Sequence, residues 1–122
     1  MLTVAAACLS LNIYFEARNQ SIKGMALVAE VTINRVRHPD WPSRVCEVVW
    51  QNKQFSWTHD GKSDEPKEKK SWDQAQVVAN DVLNNGCKVC NGATYYHHYS
   101  IKPYWTAGLI SLGRVDDHIF YK

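Results

Sequence analysis

The sequence predicts a single α+β domain, with helices in its first two thirds and short β-strands in its last third. Three observations carry this. Apolar residues recur at three- and four-residue spacing near the start. Helix start and stop signals bracket a further segment near residues 71–86. After Gly92 the chain becomes rich in Tyr and His, with Pro103, Gly108 and Gly113 punctuating it. Its 122 residues suit one domain that buries its own core, and no repeat, linker or low-complexity tract divides it.

Each element has its own signal. Leu2, Ala6, Leu9 and Ile13 fall on one helical face, and this helix ends near Arg18. Asn19-Gln20-Ser21 supplies a turn, and a second helix runs from about Ile22 to Val36. Pro39 and Pro42 make residues 38–42 a loop. Ser43 is placed to cap a short helix carrying Val45, Val48 and Val49. His59 to Lys70 is charge-dense and reads as an exposed loop. Ser71-x-x-Gln74 fits a capping box, and its helix stops at Gly86. Thr94 to Ser100, Leu109 to Leu112 and His118 to Tyr121 read as strands.

Composition narrows the function. A net charge of +2 lacks the concentrated basic character of a nucleic-acid binder. No stretch reaches the ~20 apolar residues of a membrane span. Met1 to Leu11 is apolar but has no basic start and no clear cleavage site, so the expectation is synthesis in the cytoplasm without a signal peptide. Five Trp, six Tyr and three Phe offer faces for sugar rings as well as core filling. Cys87-x-x-Cys90 has the spacing of half a zinc site or a redox pair, but a second pair and a His-x3-His partner are missing. Cys8 and Cys46 lie in apolar runs, so the four cysteines read as structural thiols or an incidental disulfide.

Several blocks occur in a fixed order: Leu11-Asn12-Ile13-Tyr14-Phe15-Glu16-Ala17-Arg18, then Ala29-Glu30-Val31-Thr32-Ile33-Asn34-Arg35-Val36, Val45-Cys46-Glu47-Val48-Val49 and Gln54-Phe55-Ser56-Trp57. Gly92-Ala93-Thr94-Tyr95-Tyr96-His97, Pro103-Tyr104-Trp105 and His118-Ile119-Phe120-Tyr121 complete the series. Together they resemble the SleB/CwlJ-type cell-wall hydrolases over nearly the whole chain. The resemblance implies a lysozyme-like, lytic transglycosylase-like fold. It also implies cleavage of peptidoglycan between N-acetylmuramic acid and N-acetylglucosamine, and it places the catalytic glutamate at Glu16. Two stretches depart from the pattern: the charged loop 59–70, and Gly113 to His118, which is longer than the usual glycine-to-histidine link. If the second borders the cleft, substrate preference differs from that of relatives.

The residues support that chemistry independently. Glycosidic cleavage needs a proton on the leaving oxygen, and a carboxyl group holds one near neutral pH only in an apolar pocket. Glu16 follows Tyr14 and Phe15 at a helix end, where such a pocket can form. The bland alternative is a surface glutamate beside Arg18. Glu30, Glu47 and Asp73 are the candidates for a second carboxylate; a lytic transglycosylase needs none, because the muramic 6-hydroxyl attacks its own C1. Gln54, Ser56 and Trp57 combine hydrogen-bonding groups with an aromatic face for sugar binding. Phe55 is assigned to the core, and Gln54 and Trp57 to the cleft. Tyr96, His97, Tyr104 and Trp105 are assigned to the opposite wall, with His98 facing solvent. The implied partner is the glycan strand, met by a monomer without metal or organic cofactor. A catalytic domain reading of this kind fits a phage endolysin that reaches the host periplasm, with a bacterial housekeeping enzyme as the rival. Two other classes compete: a metal-dependent amidase using His97, His118 and a cysteine, and a non-catalytic glycan-binding module.

Overall fold

The computed structural model describes residues 2–51, 54–88 and 90–122. Four helices precede a three-stranded antiparallel sheet: α1 (Val4–Ala17), α2 (Ile22–Val36), α3 (Val45–Val49), α4 (Lys69–Asn85), then β1 (Tyr95–His98), β2 (Ser111–Val115) and β3 (His118–Tyr121). Thr3 caps α1 by accepting from the Ala6 N–H, and Ser21 caps α2 by accepting from the Gly24 N–H. Ala6, Leu9, Ile13 and Ala17 form the buried face of α1 at helical spacing. Leu9, Ile13 and Ala17 meet Met25, Val28 and Val31 of α2, Val45 and Val49 of α3, and Ala75, Val78, Ala79 and Val82 of α4.

Several boundaries differ from the sequence reading. Helix α3 is preceded by Arg44 rather than capped by Ser43, and no side chain caps it. Helix α4 begins at Lys69, so Ser71 lies inside it and the capping box does not form. Gly86 does end α4: its N–H bonds to the Val82 carbonyl, and its φ of 75° suits glycine. The second strand is Ser111–Val115, beginning two residues after the expected one and ending three after it. Gly113 sits within it beside an irregularity at Ser111/Gly113, so it is not a turn residue. Two short 3₁₀ helices, Ser56–His59 and Tyr104–Thr106, occupy segments expected to be irregular or extended.

The sheet order is β1-β3-β2. Residues opposite one another in an antiparallel pair share a face. Tyr96 pairs with Phe120 and His98 with His118, so these four face one way. Tyr95, His97, Ile119 and Tyr121 face the other. The first face carries the fully buried Phe120 into the helical core. The second is covered by Trp105, which packs on Tyr95, His97 and Tyr121.

Candidate active site

Glu16 occupies the last turn of α1, one turn beyond Asn12 and on the same side of the helix. Its surroundings are apolar enough to push its pKa from 4.5 up to about 7, chiefly through burial; Tyr96 and the Arg35 guanidinium act in the opposite direction. Arg18 is not its partner. That guanidinium pairs with Glu68 at 3.3 Å and lies over the Tyr14 ring.

Three buried groups surround the carboxyl group. Trp57 Nε1 donates to Asn12 Oδ1 at 2.9 Å, which turns the Asn12 amide nitrogen away from Trp57. Among the described residues that nitrogen has no hydrogen-bond partner; the buried Tyr96 hydroxyl sits against both Asn12 and Glu16. Buried polar atoms are costly unless paired, so their gathering at one carboxyl group calls for a reason. Arg35, on α2, is the third group. It is 5% exposed. Its Nε donates to the Thr94 carbonyl at 2.8 Å and its Nη1 to Gln54 Oε1 at 3.0 Å. Its guanidinium also lies against Trp41, Phe55 and Tyr95. A positive charge is thereby fixed behind Glu16 without neutralising it.

Glu16 opens into a cavity of about 220 Å³. Phe15, Arg18 and Gln20 line it from α1 and the following turn; His98, Asp117 and His118 line it from the sheet. The β2–β3 turn is strapped to the α1–α2 turn. Asp116 accepts from the Ser21 N–H at 2.9 Å and hydroxyl at 2.6 Å, and these bonds hold its carboxyl below the usual range. Gln20 exchanges two bonds with Asp117, donating to its carboxylate at 3.1 Å and accepting from its N–H at 2.9 Å. Asp116 has φ 52°, and Gly24 leaves the space its carboxylate occupies. The long link noted in the sequence is therefore a wall of the Glu16 cavity. An adjoining groove, lined by Phe15, Arg18, Lys62, Ser63, Glu65 and Lys67, extends toward the charged loop.

The sequence-predicted residues separate into three places. Tyr96 lies at Glu16. Gln54, Tyr104 and Trp105, with Tyr95, line a second cavity of about 340 Å³; Ser56 is exposed and lines neither cavity. Trp57 and His97 are buried and line neither cavity. Trp57 is 5% exposed, stacks on Phe15 at 5.0 Å and donates to Asn12, so its face is not open to sugar. Phe55 and Trp57, at the start of the 3₁₀ turn Ser56–His59, both turn inward. His97 is buried on the far sheet face. Its Nδ1 donates to the His98 carbonyl at 2.7 Å, so its Nε2 accepts from the Tyr121 hydroxyl at 2.8 Å. The alternation of His97 and His98 holds, but it is His98 that faces the Glu16 cavity. Phe15, Asn12, Gln20, Arg35, Asp117 and His118 belong to this site without having been selected for it; Asn12, Phe15, Arg35 and His118 all fall inside the quoted blocks.

Other charged and sulfur-bearing residues are accounted for elsewhere. Glu47 pairs with Arg44 and Asp73 with Lys69, while Glu30 lies by Cys87 and Cys90. None of the three lines the Glu16 cavity; the other carboxylate there is Asp117. Cys8 bonds to Cys46 and Cys87 to Cys90, so the cysteines are two disulfides rather than thiols. Among the described residues, the His/Cys/Asp/Glu group close enough to share an ion is Glu30, Cys87 and Cys90, two of which are committed to a disulfide. The structure does not bring His97, His118 and a cysteine together as the amidase alternative requires. A larger cavity of about 480 Å³, between Val4 and Glu47, is mostly apolar, and its Glu47 and Arg44 pair with each other.

Comparison with known proteins agrees with this architecture. The chain is 29% identical over 109 residues to a spore cortex-lytic enzyme of Halalkalibacterium halodurans, covering 88% of this chain and 32% of that protein. It thus spans about a third of that relative's length. Its fold matches the catalytic domain of the germination-specific lytic transglycosylase SleB from Bacillus anthracis with a TM-score of 0.82 at 23% identity, covering 100% of this chain and 97% of that one. It also matches the catalytic domain of the Bacillus cereus SleB protein, with a TM-score of 0.78 at 24% identity and coverage of 100% and 93%. The lysozyme-like α+β class is thereby established. The sequence profile of the Cell Wall Hydrolase family matches residues 19–121, beginning just after Glu16. The chain belongs to the Cell Wall Hydrolase family.

Proposed function

We propose that this chain is a single catalytic domain that cleaves peptidoglycan glycan strands between N-acetylmuramic acid and N-acetylglucosamine. It does so as a lytic transglycosylase with Glu16 as acid and base. The observation that carries this reading is a carboxyl group with a pKa of about 7 opening into a polar cavity. Such a group is protonated often enough at neutral pH to act as an acid and becomes a competent base once it has given its proton away. Family membership and the likeness to SleB catalytic domains support the same substrate.

The steps follow from the chemistry. Glu16 gives its proton to the leaving O4 of the glucosamine as the muramic C1–O4 bond breaks. The muramic 6-hydroxyl then attacks C1, its proton passes to Glu16, and the product carries a 1,6-anhydro ring. Tyr96 is placed to donate to Glu16 while it is ionised, and Arg35 stabilises the same state through its charge. Phe15, half-buried at the cavity wall, supplies an apolar face for a sugar ring. Gln54, Tyr104 and Trp105 provide a more distant contact for the strand.

Hydrolysis by water is the second reading, and Asp117 is the observation that favours it, since it is the second carboxylate of the cavity. Its carboxylate is engaged by Gln20 and lies near Arg114, which leaves it less free to position a water. We place the working unit as a monomer acting at the wall or cortex, where the two disulfides persist. Purified sacculi provide the test. Wild-type chain releases soluble fragments with or without a chelator, and Glu16→Gln lowers the rate at least about a hundredfold. Unchanged release by that variant overturns the reading.

A further inference from the structure

His118 is the first residue of β3 and follows the Asp116-Asp117 turn. It lines the Glu16 cavity, is 5% exposed, and its Nδ1 has no hydrogen-bond partner among the described residues. Its ring packs edge-on against Tyr96 at 5.1 Å, the residue that also touches Glu16. A buried nitrogen left unpaired in a folded chain is expensive unless something visits it. His118 borders the cavity in which a saccharide would sit.

We infer that His118, held by the β2–β3 turn, is a sugar-binding residue of the Glu16 cavity, hydrogen-bonding a hydroxyl or acetamido group of the saccharide beside the cleaved bond. This rests on the reading of the chain as a glycan-cleaving enzyme.

Three considerations define the role. Burial, and then the neighbouring His98, hold the His118 pKa down to about 4, despite Asp117 and Asp116 acting the other way. Its ring is therefore neutral at working pH and suits an uncharged polar group better than a carboxylate. Glu16, near 7, is the stronger base of the two, so the proton of the attacking hydroxyl goes to Glu16 and His118 only orients. The strap from Gln20 and Ser21 to Asp117 and Asp116 fixes the strand end that carries the ring. Orientation of this kind acts by positioning the reacting sugar.

Binding and turnover test it separately. In a Glu16→Gln background, affinity for a peptide-free tetrasaccharide of alternating N-acetylglucosamine and N-acetylmuramic acid is measured by calorimetry. Adding His118→Ala weakens binding about tenfold, the loss of one neutral hydrogen bond. Adding His118→Asn, which keeps a polar atom near the Nδ1 position, stays within about threefold of the parent. In the active enzyme, His118→Ala raises KM on glycan strands by a similar factor. If His118→Ala does not fold, His118→Leu fills the ring's space without a polar atom and takes its place. Unchanged affinity in the apolar variant overturns the inference. Equal weakening by His118→Asn in a folded protein also overturns it, since the ring then acts by packing alone. A parent that binds no tetrasaccharide and a wild type that releases no fragments refute the glycan-cleaving reading itself.

Discussion

Glu16 holds its proton because burial disfavours its charge, and the same burial destabilises the folded chain whenever Glu16 ionises. Glu16→Gln removes that penalty. The rise from 4.5 to about 7 corresponds to about 3.4 kcal/mol at 1.36 kcal/mol per pH unit. The sign is set by proton uptake. Between those pKa values the folded state holds a proton that the unfolded state has lost, so stability falls as pH rises through this window. Linkage gives a penalty of about 0.8 kcal/mol at pH 5 and about 3.4 kcal/mol at pH 8.5. Water in the open cavity reduces both, leaving a contrast of about 1.5–2.5 kcal/mol. Urea unfolding of wild type and Glu16→Gln at pH 5 and pH 8.5 reads it directly. The variant gains stability over wild type at pH 8.5 and much less at pH 5. His118 titrates in both proteins and cancels in the difference. A stability difference that is the same at both pH values would falsify the claim that Glu16 is desolvated.

Other consequences are open to measurement. Tyr96→Phe removes a contact that lowers the Glu16 pKa, so the alkaline limb of the activity profile moves upward by about half a pH unit or more. A limb that stays put, or moves down, shows that Tyr96 does not face the carboxylate. The Cys8–Cys46 disulfide bridges a separation of 38 residues, and replacing both with Ala lowers stability by about 3–4 kcal/mol on loop entropy. Replacing Cys87 and Cys90 has roughly half that effect, because the loop they close is short. Unfolding curves for the two double variants check the ranking, and equal losses would contradict it.

The helical part of the fold was legible because its cores are local. Leu9 and Ile13, or Val78 and Val82, announce their face by spacing alone. Short elements were not: Ser43 stands beside α3 without capping it, and the turn at Ser56–His59 buries both Phe55 and Trp57, which the sequence divides between core and cleft without a periodicity to support it. Cys-x-x-Cys spacing is the same for a thiol pair, a zinc half-site and a disulfide, so only proximity distinguishes them. At the site, Glu16 stood out through its motif, while its surroundings come from distant segments. Arg35 reads as an exposed charge on a helix until Gln54 and the Thr94 carbonyl close over it. Sheet register decides that His98 and His118, rather than His97, face Glu16. Alternation gives two faces but not which one meets α1.

The most direct test of the account is mass spectrometry of the fragments released from purified peptidoglycan by wild type and by Glu16→Gln. The account predicts fragments ending in 1,6-anhydromuramic acid, present with wild type and lost in the variant. Reducing-end muramic acid would replace the 6-hydroxyl by water and turn attention to Asp117. Free stem peptides from both proteins would contradict the account, placing the cleaved bond outside the glycan and the chemistry away from Glu16.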